Sequence, residues 1–159
     1  MVVSSIKVFK SGVKGGNKML YGEYQHSIDK KGRAFIPSKL REELGDSFMI
    51  CRGIDGKRCL CVYSLDEWSK LDEKIRSLPN TKASAVKRFL YAGSTKLEPD
   101  AQGRVLIPQN LREYALLESE AYILGMSTHL EIWNVDDWQK ENEMYSPESI
   151  ASIMEELNF

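Results

Sequence analysis

Short segments in which apolar and polar residues alternate, separated by turn-forming residues, run through the first part of the chain. A period of two is typical of β-strands with one buried face. We predict strands at residues 24–28, 33–36, 48–52 and 59–63. In the last of these, Leu60 and Val62 fall on one face, so both are expected in the core.

Other segments repeat their apolar residues every three or four positions, which predicts amphipathic helices. A short helix at residues 39–44 follows Pro37 and ends at Gly45. Ser64 and Asn134 have the chemistry of helix N-caps, so a helix is expected after each. The residues expected to be buried are Leu65, Trp68, Leu71, Ile75 and Leu78 on the helix before Pro79, Val86, Phe89 and Leu90 on a connecting helix at about residues 82–92, and Ile150, Ile153, Met154 and Leu157 on a last helix that begins at Ser146.

One pattern occurs twice. Residues 28–37 (IDKKGRAFIP) return 71 positions later within residues 98–108 (EPDAQGRVLIP), and a Leu-Arg-Glu triplet follows each copy. Each copy closes on Asp-x-Trp, at Trp68 and Trp138. Two units are too few for a solenoid. The duplication therefore predicts two half-domains that fold on each other.

The repeats divide the chain into five segments. We expect a flexible N-terminal extension at residues 1–18, repeat 1 at 20–79, a connecting helix at 80–93, repeat 2 at 94–142 and a C-terminal helix at 146–158. The extension carries four lysines, and we interpret it as a mobile arm or an artefact of start assignment rather than as a DNA contact.

The centre of each repeat predicts a tight turn. In the first, two lysines precede Gly32, and a type I turn followed by a left-handed glycine fits that spacing. Gly103 supplies the same freedom in the second. Asp29 and Arg33 would then flank the first turn closely enough to pair, as would Asp100 and Arg104 the second.

Charge separates the two halves. Residues 1–90 carry 18 Lys and Arg against 10 Asp and Glu, a net charge of +8, whereas residues 91–159 carry 4 against 13, a net charge of −9. A polyanion such as nucleic acid is the partner that the basic half indicates, although contacts between subunits would use the same pattern.

Composition and residue spacing argue against membrane, exported, metal-binding and enzymatic proteins. No apolar run approaches the roughly 18 residues of a membrane span, and no export signal is evident, so we expect a cytoplasmic protein without a membrane partner. Cys51, Cys59 and Cys61 are expected in core strands, and an odd count fits a reducing compartment. They lack the spacing and the nearby His of a zinc ribbon, so we predict no metal and no cofactor. His26 and His129 look isolated, so we expect structural surface histidines, no catalytic residues and no small-molecule substrate.

The repeated Asp-x-x-Gly-Arg, three apolar residues, Pro and Leu-Arg-Glu resemble the swapped-hairpin repeat of the AbrB/SpoVT transcription factors. Two such repeats in one chain resemble the MraZ family, over residues 20–142. The resemblance implies an α+β fold: a duplicated looped-hinge swapped-hairpin β-barrel with short helices and a pseudo-two-fold axis. It also implies a nucleoid-associated repressor that binds direct repeats in double-stranded DNA, upstream of its own division and cell-wall gene cluster, as a ring-like homo-oligomer.

Lys30, Lys31 and Arg33 are the candidate DNA-binding residues. Lysines on the turn would contact phosphates, and an arginine on a β-ribbon could contact a base in the major groove. An intramolecular pair with Asp29 is the alternative role for Arg33. Structural roles are predicted for the motif residues Asp29, Gly32, Asp100 and Gly103. A structural role is also predicted for Arg104, because its turn carries no lysine and lies in the acidic half.

Contacts between the basic half of one subunit and the acidic half of the next would give a head-to-tail ring, which suits direct repeats. Two alternatives stay open: an AbrB-type antitoxin, whose toxin-binding tail would be residues 146–159, and a ring-forming scaffold that binds only protein.

Overall fold

The computed structural model describes residues 19–158, which form eight antiparallel strands and six α-helices. The strands are β1 (Glu23–Ser27), β2 (Arg33–Phe35), β3 (Phe48–Arg52), β4 (Leu60–Ser64), β5 (Thr95–Leu97), β6 (Arg104–Leu106), β7 (Glu120–Gly125) and β8 (Leu130–Asn134). Six of them form one sheet in the order β1-β7-β8-β4-β3-β5, and β2 and β6 form a separate two-stranded ribbon.

The helices follow the strands in the same order in both repeats. They are α1 (Ser38–Leu44), α2 (Leu65–Arg76), α3 (Asn80–Leu90), α4 (Gln109–Tyr114), α5 (Val135–Glu143) and α6 (Pro147–Met154), with a 3₁₀ turn at Glu155–Leu157. α1 and α4 correspond to each other, as do α2 and α5, while α3 connects the repeats.

Each repeat gives its first strand to the other. β1 pairs with β7, and β5 pairs with β3, so both outer strands of the large sheet come from the opposite repeat. The pairs Ala34↔Val105 in the ribbon and Cys61↔Glu131 in the sheet join equivalent positions of the two repeats. Both pairs therefore lie at a pseudo-two-fold axis, and the predicted α+β fold with exchanged hairpins is confirmed.

The main core lies between the large sheet, the ribbon and the short helices α1 and α4. Both repeats contribute to it, so neither half contains a complete core of its own. Removing one such side chain from water contributes about 1.5–3 kcal/mol. The largest fully buried members are Phe48, Ile36, Ile50, Leu60, Ile107, Leu111, Ile123, Leu130 and Ile132.

Longer helices cover the other face of the sheet. Ile75 of α2 and Leu90 of α3 pack with Cys51, Cys61 and Tyr63 from β3 and β4. Beyond the dyad, Trp138 of α5 packs against Trp133 of β8, with their ring centroids 5.7 Å apart. In the first repeat, the Trp68 ring of α2 lies 6.0 Å from the Tyr63 ring of β4. The two Asp-x-Trp tryptophans thus pack equivalent helices against equivalent strands.

Both predicted helix caps are present. The Ser64 side chain accepts a hydrogen bond from the Glu67 backbone N–H, and that of Asn134 accepts one from the Asp137 N–H. Gly45 ends α1 at φ +94°, as its position predicted. α3 starts two residues before its predicted position, directly after Pro79, because proline's fixed φ suits the entry of a helix.

Several helix residues expected in the core are exposed. Phe89 is 40% exposed because it lies at the rim of the sheet, where it packs on the Arg52 guanidinium at 5.2 Å. Leu65 and Leu78, at the two ends of the α2 stripe, are also exposed, whereas Ile75 between them is buried.

The prediction for the last helix was wrong about burial. Helix α6 begins at the predicted Ser146 cap, but every one of its residues is exposed. An amphipathic stripe predicts that a face is covered, but it does not say by which chain. The uncovered apolar residues are Ile150, Ile153, Met154 and, in the turn that follows, Leu157.

Among residues 19–158, no helix has the length and apolar character needed to cross a membrane. The N-terminal extension expected at residues 1–18 lies outside the described part of the chain.

Candidate nucleic-acid interface

The two-stranded ribbon brings the centres of both repeats together. Ala34 and Val105 face the core and are 3% and 1% exposed. Strand alternation and the antiparallel register therefore place the residues on either side of them on the outer face. That face carries Arg33, Phe35, Arg104 and Leu106.

The first turn is organised by one carboxylate. Asp29 Oδ1 accepts hydrogen bonds from the Lys31 N–H at 3.0 Å and the Arg33 N–H at 2.9 Å. Asp29 Oδ2 accepts one from Arg33 Nε at 2.7 Å. The backbone N–H of Arg33, followed by its guanidinium, holds the pKa of the Asp29 carboxyl below its usual range. Lys30 and Lys31 are exposed at the tip, beside this pair.

The second turn repeats this geometry. Asp100 Oδ1 accepts from the backbone N–H groups of Gln102 and Arg104, both at 2.9 Å, and Oδ2 accepts from Arg104 Nε at 3.0 Å. The Arg104 N–H is the main reason that the pKa of Asp100 is also lowered. The tip of this turn carries Ala101 and Gln102, so the second turn presents no positive side chain beyond its arginine.

Both turns need a glycine. Gly32 and Gly103 have φ values of +91° and +83°, and each N–H donates to the Asp carbonyl that opens its turn, at 2.9 Å. A tight turn that ends on a left-handed glycine, as predicted, is present in both repeats. A residue other than glycine would be strained at these positive φ values. It would also meet a side chain, because each glycine lies against an arginine from the opposite repeat.

The arginine of each Leu-Arg-Glu triplet packs against the motif turn of the opposite repeat. Arg41 contacts the turn at Gly103, and Arg112 contacts the turn at Gly32. A Cβ at Gly103 would lie 2.8 Å from Arg41 Cζ, and a Cβ at Gly32 would lie 2.5 Å from Arg112 Nε. Each arginine also donates from Nε to a carbonyl on its own repeat at 2.8 Å, Arg41 to Ile36. The sequence analysis missed this role, although the repetition of the triplet was the signal for it.

The predicted site residues are thus adjacent in the structure. Lys30 and Lys31 lie at the tip of a turn whose next strand carries Arg33, and both motif arginines lie on the same outer face. Arg33 and Arg104 are equally accessible, with side chains 34% and 33% exposed. The intramolecular alternative is present in both repeats, since each arginine pairs with its aspartate.

The expectation for His129 was wrong. His26 packs edge-on against Phe35, which fits a structural role. His129 instead lies half-buried, stacked on the Tyr63 ring at 5.0 Å and 3.9 Å from a Glu131 carboxylate oxygen. Burial opposes protonation, but the contacts with Cys61 and Glu131 outweigh it and raise the pKa of His129 to about 9. The strand register brings these residues together, and spacing in the sequence does not show it.

Two interlocked hairpin repeats with their motif turns on one ribbon form the swapped-hairpin fold of the AbrB/SpoVT type. The chain belongs to the MraZ family. The model of that family, described as MraZ protein and antitoxin-like, matches twice, over residues 19–89 and 90–157.

Curated relatives agree over nearly their full length. The chain is 54% identical to the transcriptional regulator MraZ of Acetivibrio thermocellus over 140 residues, covering 86% of this chain and 96% of the relative. It is 52% identical to the transcriptional regulator MraZ of Caldicellulosiruptor saccharolyticus over 143 residues, covering 87% and 99%. The chain is therefore a transcription regulator of this family.

A solved structure from Pyrococcus horikoshii matches at 14% identity, covering 72% of this chain and 95% of its own, with a TM-score of 0.32. A score this low supports no conclusion about the fold.

Proposed function

We propose that this protein binds double-stranded DNA sequence-specifically through the outer face of the β2–β6 ribbon and represses its own division and cell-wall gene cluster from upstream direct repeats. In this proposal it is cytoplasmic and associated with the nucleoid. The observation that carries the proposal is the exposed cluster of Lys30, Lys31 and Arg33 on a two-stranded ribbon. A ribbon of this width fits the major groove of B-DNA.

The side chains have separate roles in this proposal. The lysines, as exposed point charges at the tip, contact phosphates and set the position of the protein on the duplex. Arg33 contacts a base. Its pair with Asp29 does not prevent this, because the guanidinium has five N–H donors and the bond at 2.7 Å uses the one on Nε. The carboxylate then fixes the direction of the arginine before DNA binds.

The DNA target as a set of direct repeats requires subunits that face the same way. We propose a head-to-tail ring in which the basic half of one subunit meets the acidic half of the next. The exposed apolar face of α6 supports this ring, because it offers a surface that a neighbouring subunit can cover. The helix lies in the acidic half, residues 91–159, which has a net charge of −9. Several weak DNA contacts on one ring would raise avidity by about 10² to 10⁴.

The same helix supports a second candidate function. In an AbrB-type antitoxin, the exposed residues of α6 would bind a toxin instead of a neighbouring subunit. Co-purification of a stoichiometric second protein that is lost in Ile150→Glu would favour this role over the ring.

The test of DNA binding is fluorescence anisotropy with the duplex upstream of the protein's own gene and with a scrambled duplex of equal composition. Arg33→Ala is compared with its matched control, Arg104→Ala, which loses the same kind of pair in the second repeat. We expect wild type and Arg104→Ala to prefer the upstream duplex and Arg33→Ala to lose that preference. Equal binding of both duplexes by the wild type would contradict sequence-specific regulation, and loss of preference in Arg104→Ala alone would move the reading residue to repeat 2.

The ring is tested separately by size-exclusion chromatography with light scattering. We expect a closed oligomer whose mass falls to smaller species with added salt or in Ile150→Glu, while Ser69→Ala, an exposed substitution in α2 that changes no charge, leaves it unchanged. A monomer at all salt concentrations would remove the ring and leave the DNA-binding proposal standing on the ribbon alone.

A further inference from the structure

The centre of the large sheet carries a cluster of metal-ligand chemistry on the face opposite the main core. One ligand atom from each of Cys59, Cys61 and Glu131 lies within 4.8 Å of the other two, and all three residues are buried. All three cysteines of the chain are free thiols. No metal was predicted from the sequence because the three cysteines lack a second pair at zinc-ribbon spacing or a nearby His, whereas strand pairing supplies Glu131 from the opposite repeat.

Backbone geometry builds this cluster. Cys59 and Cys61 are two residues apart along an extended segment, so their side chains share a face, and Cys61 lies directly opposite Glu131 in the β4–β8 register. The Cys59 sulfur also fits tightly against the neighbouring loop. A Cβ at Gly53 would lie only 2.9 Å from Cys59 Sγ, so a glycine is required there for the thiol to occupy its position.

Glu131 brings a charged oxygen ligand into this buried cluster. It is 6% exposed and is the only buried charged residue among residues 19–158. Its Oε1 accepts a hydrogen bond from Trp133 Nε1 at 2.8 Å, and its Oε2 forms an ion pair with His129 Nε2 at 3.9 Å. These partners hold the carboxylate in place beside the two sulfurs, where a cation would be its second partner of opposite charge.

We propose that Cys59, Cys61 and Glu131 bind one zinc ion. Two sulfurs and one carboxylate oxygen are a ligand set that a borderline-soft divalent metal prefers. Zinc bonds of about 2.0–2.3 Å place tetrahedral ligands roughly 3.3–3.8 Å apart, so a small closure of the present cluster suffices. Binding releases the thiol protons to solvent and leaves two thiolates on the metal, with water in the fourth position.

The surroundings have the features of an outer shell. The Trp133 indole N–H fixes one oxygen of the carboxylate, and His129 faces the other. The opposite nitrogen of the His129 ring, Nδ1, lies 3.1 Å from the Thr128 hydroxyl, which orients the ring. Both His129 and Thr128 also line an open cleft of about 650 Å³ beside α2, which brings solvent to these outer-shell residues.

The site would join the two repeats at their pseudo-two-fold axis, since two ligands belong to repeat 1 and the third to repeat 2. Its predicted effect is therefore on the stability of the whole fold rather than on the DNA-binding face, and its test does not depend on the proposed function.

The experiment is a titration of the full-length, metal-free, reduced protein with Co²⁺, followed by displacement with Zn²⁺. We expect thiolate-to-cobalt charge-transfer absorption that saturates at one equivalent per chain and disappears when zinc is added. Cys59→Ser and Cys61→Ser should lose it. The matched control is Cys51→Ser, which removes an equally buried thiol from the adjacent strand and should keep it.

A thermal measurement on the wild type keeps the proposal testable if a serine variant fails to fold. Zinc at about a hundredfold excess over Kd should raise Tm by roughly 5–10 °C. Absence of thiolate absorption in the wild type would overturn the proposal, as would a response that survives in Cys59→Ser and Cys61→Ser. A response lost only in Cys51→Ser would overturn the assigned ligand set.

Discussion

The two motif turns share one backbone geometry, but the tip of the first is positively charged and the tip of the second is neutral. In both, an aspartate binds the N–H groups of the turn and the Nε of an arginine, at 2.7 Å in the first and 3.0 Å in the second. The first tip carries Lys30 and Lys31, and the second carries Ala101 and Gln102. The aspartate, glycine and arginine that shape the turn are thus present in both copies. The exposed side chains at the tip differ between the copies.

This difference separates what the fold requires from what binding requires. Each motif glycine contacts an arginine of the opposite repeat, Gly32 with Arg112 and Gly103 with Arg41, so a change in one copy disturbs the other. The turn tips have no such partners and can diverge without cost to stability. We therefore expect substitutions at the shared positions to act equally in the two repeats, and substitutions at the tips to act only in the first.

The largest expected effect is at the glycines. Gly32→Ala and Gly103→Ala should each lower the free energy of unfolding by about 2–3 kcal/mol, because alanine would adopt a strained φ and push against Arg112 or Arg41. Denaturant titration measures this. The control is Gly56→Ala, which has φ +85° but no atom within 4 Å and should cost only about 1 kcal/mol. A neutral result at one of the two turns would break their structural equivalence.

The turn tips should differ in DNA binding. We expect Lys30→Ala/Lys31→Ala to weaken binding to any duplex by about thirtyfold at roughly 0.15 M salt, since two lost phosphate contacts reduce the log–log salt slope by about 1.8. Anisotropy titrations at several salt concentrations give both values. Gln102→Ala in the second turn serves as the control and should stay within about twofold of wild type. An unchanged slope in the lysine variant would show that the first tip does not contact phosphates.

The comparison extends to the helix starts. Ser64→Ala and Asn134→Ala should each cost about 1 kcal/mol, because each removes the side-chain acceptor for an orphan N–H at the start of α2 or α5. Denaturant midpoints measure the loss, and Ser69→Ala, at an exposed position inside α2, provides the control. Costs that differ widely between the caps would show that the two helices are not equally held by the fold.

The smallest expected effect concerns pH. The folded-state pKa values of Asp29 and Asp100 are both lowered, so each carboxylate stabilises the fold above its unfolded pKa and loses that contribution as pH falls through the folded value. We expect the Tm deficits of Asp29→Asn and Asp100→Asn to shrink in parallel as the pH is lowered from about 6 to about 2.5. A deficit that stays constant with pH would show that the charge of the carboxylate contributes nothing.

Local features were predictable because neighbouring residues determine them. The turn at Gly32, the cap at Ser64 and the end of α1 at Gly45 follow from side-chain chemistry within a few positions. The strand exchange came only from the family resemblance, because alternation within β1 does not indicate whether its partner is β3 or β7.

The remaining features depend on contacts between distant segments. Cys61 and Glu131 meet through the β4–β8 register, and the Arg112 side chain reaches the turn of the other repeat at Gly32. Whether another segment packs on α6 cannot be read from its apolar stripe, so the stripe predicted a helix correctly and its burial incorrectly.

The exchange of first strands also determines how the chain can fold as it is synthesised. Tyr24 pairs with Ile123, 99 residues later, so β1 has no partner until most of the protein has left the ribosome. β3 and β4 pair with each other earlier, but their other edges have no partners until β5 and β8 are made. Non-local pairings of this kind slow folding and leave strand edges exposed to other nascent chains in the meantime. The duplicated architecture therefore gives a stable, interlocked product at the expense of a vulnerable interval during translation.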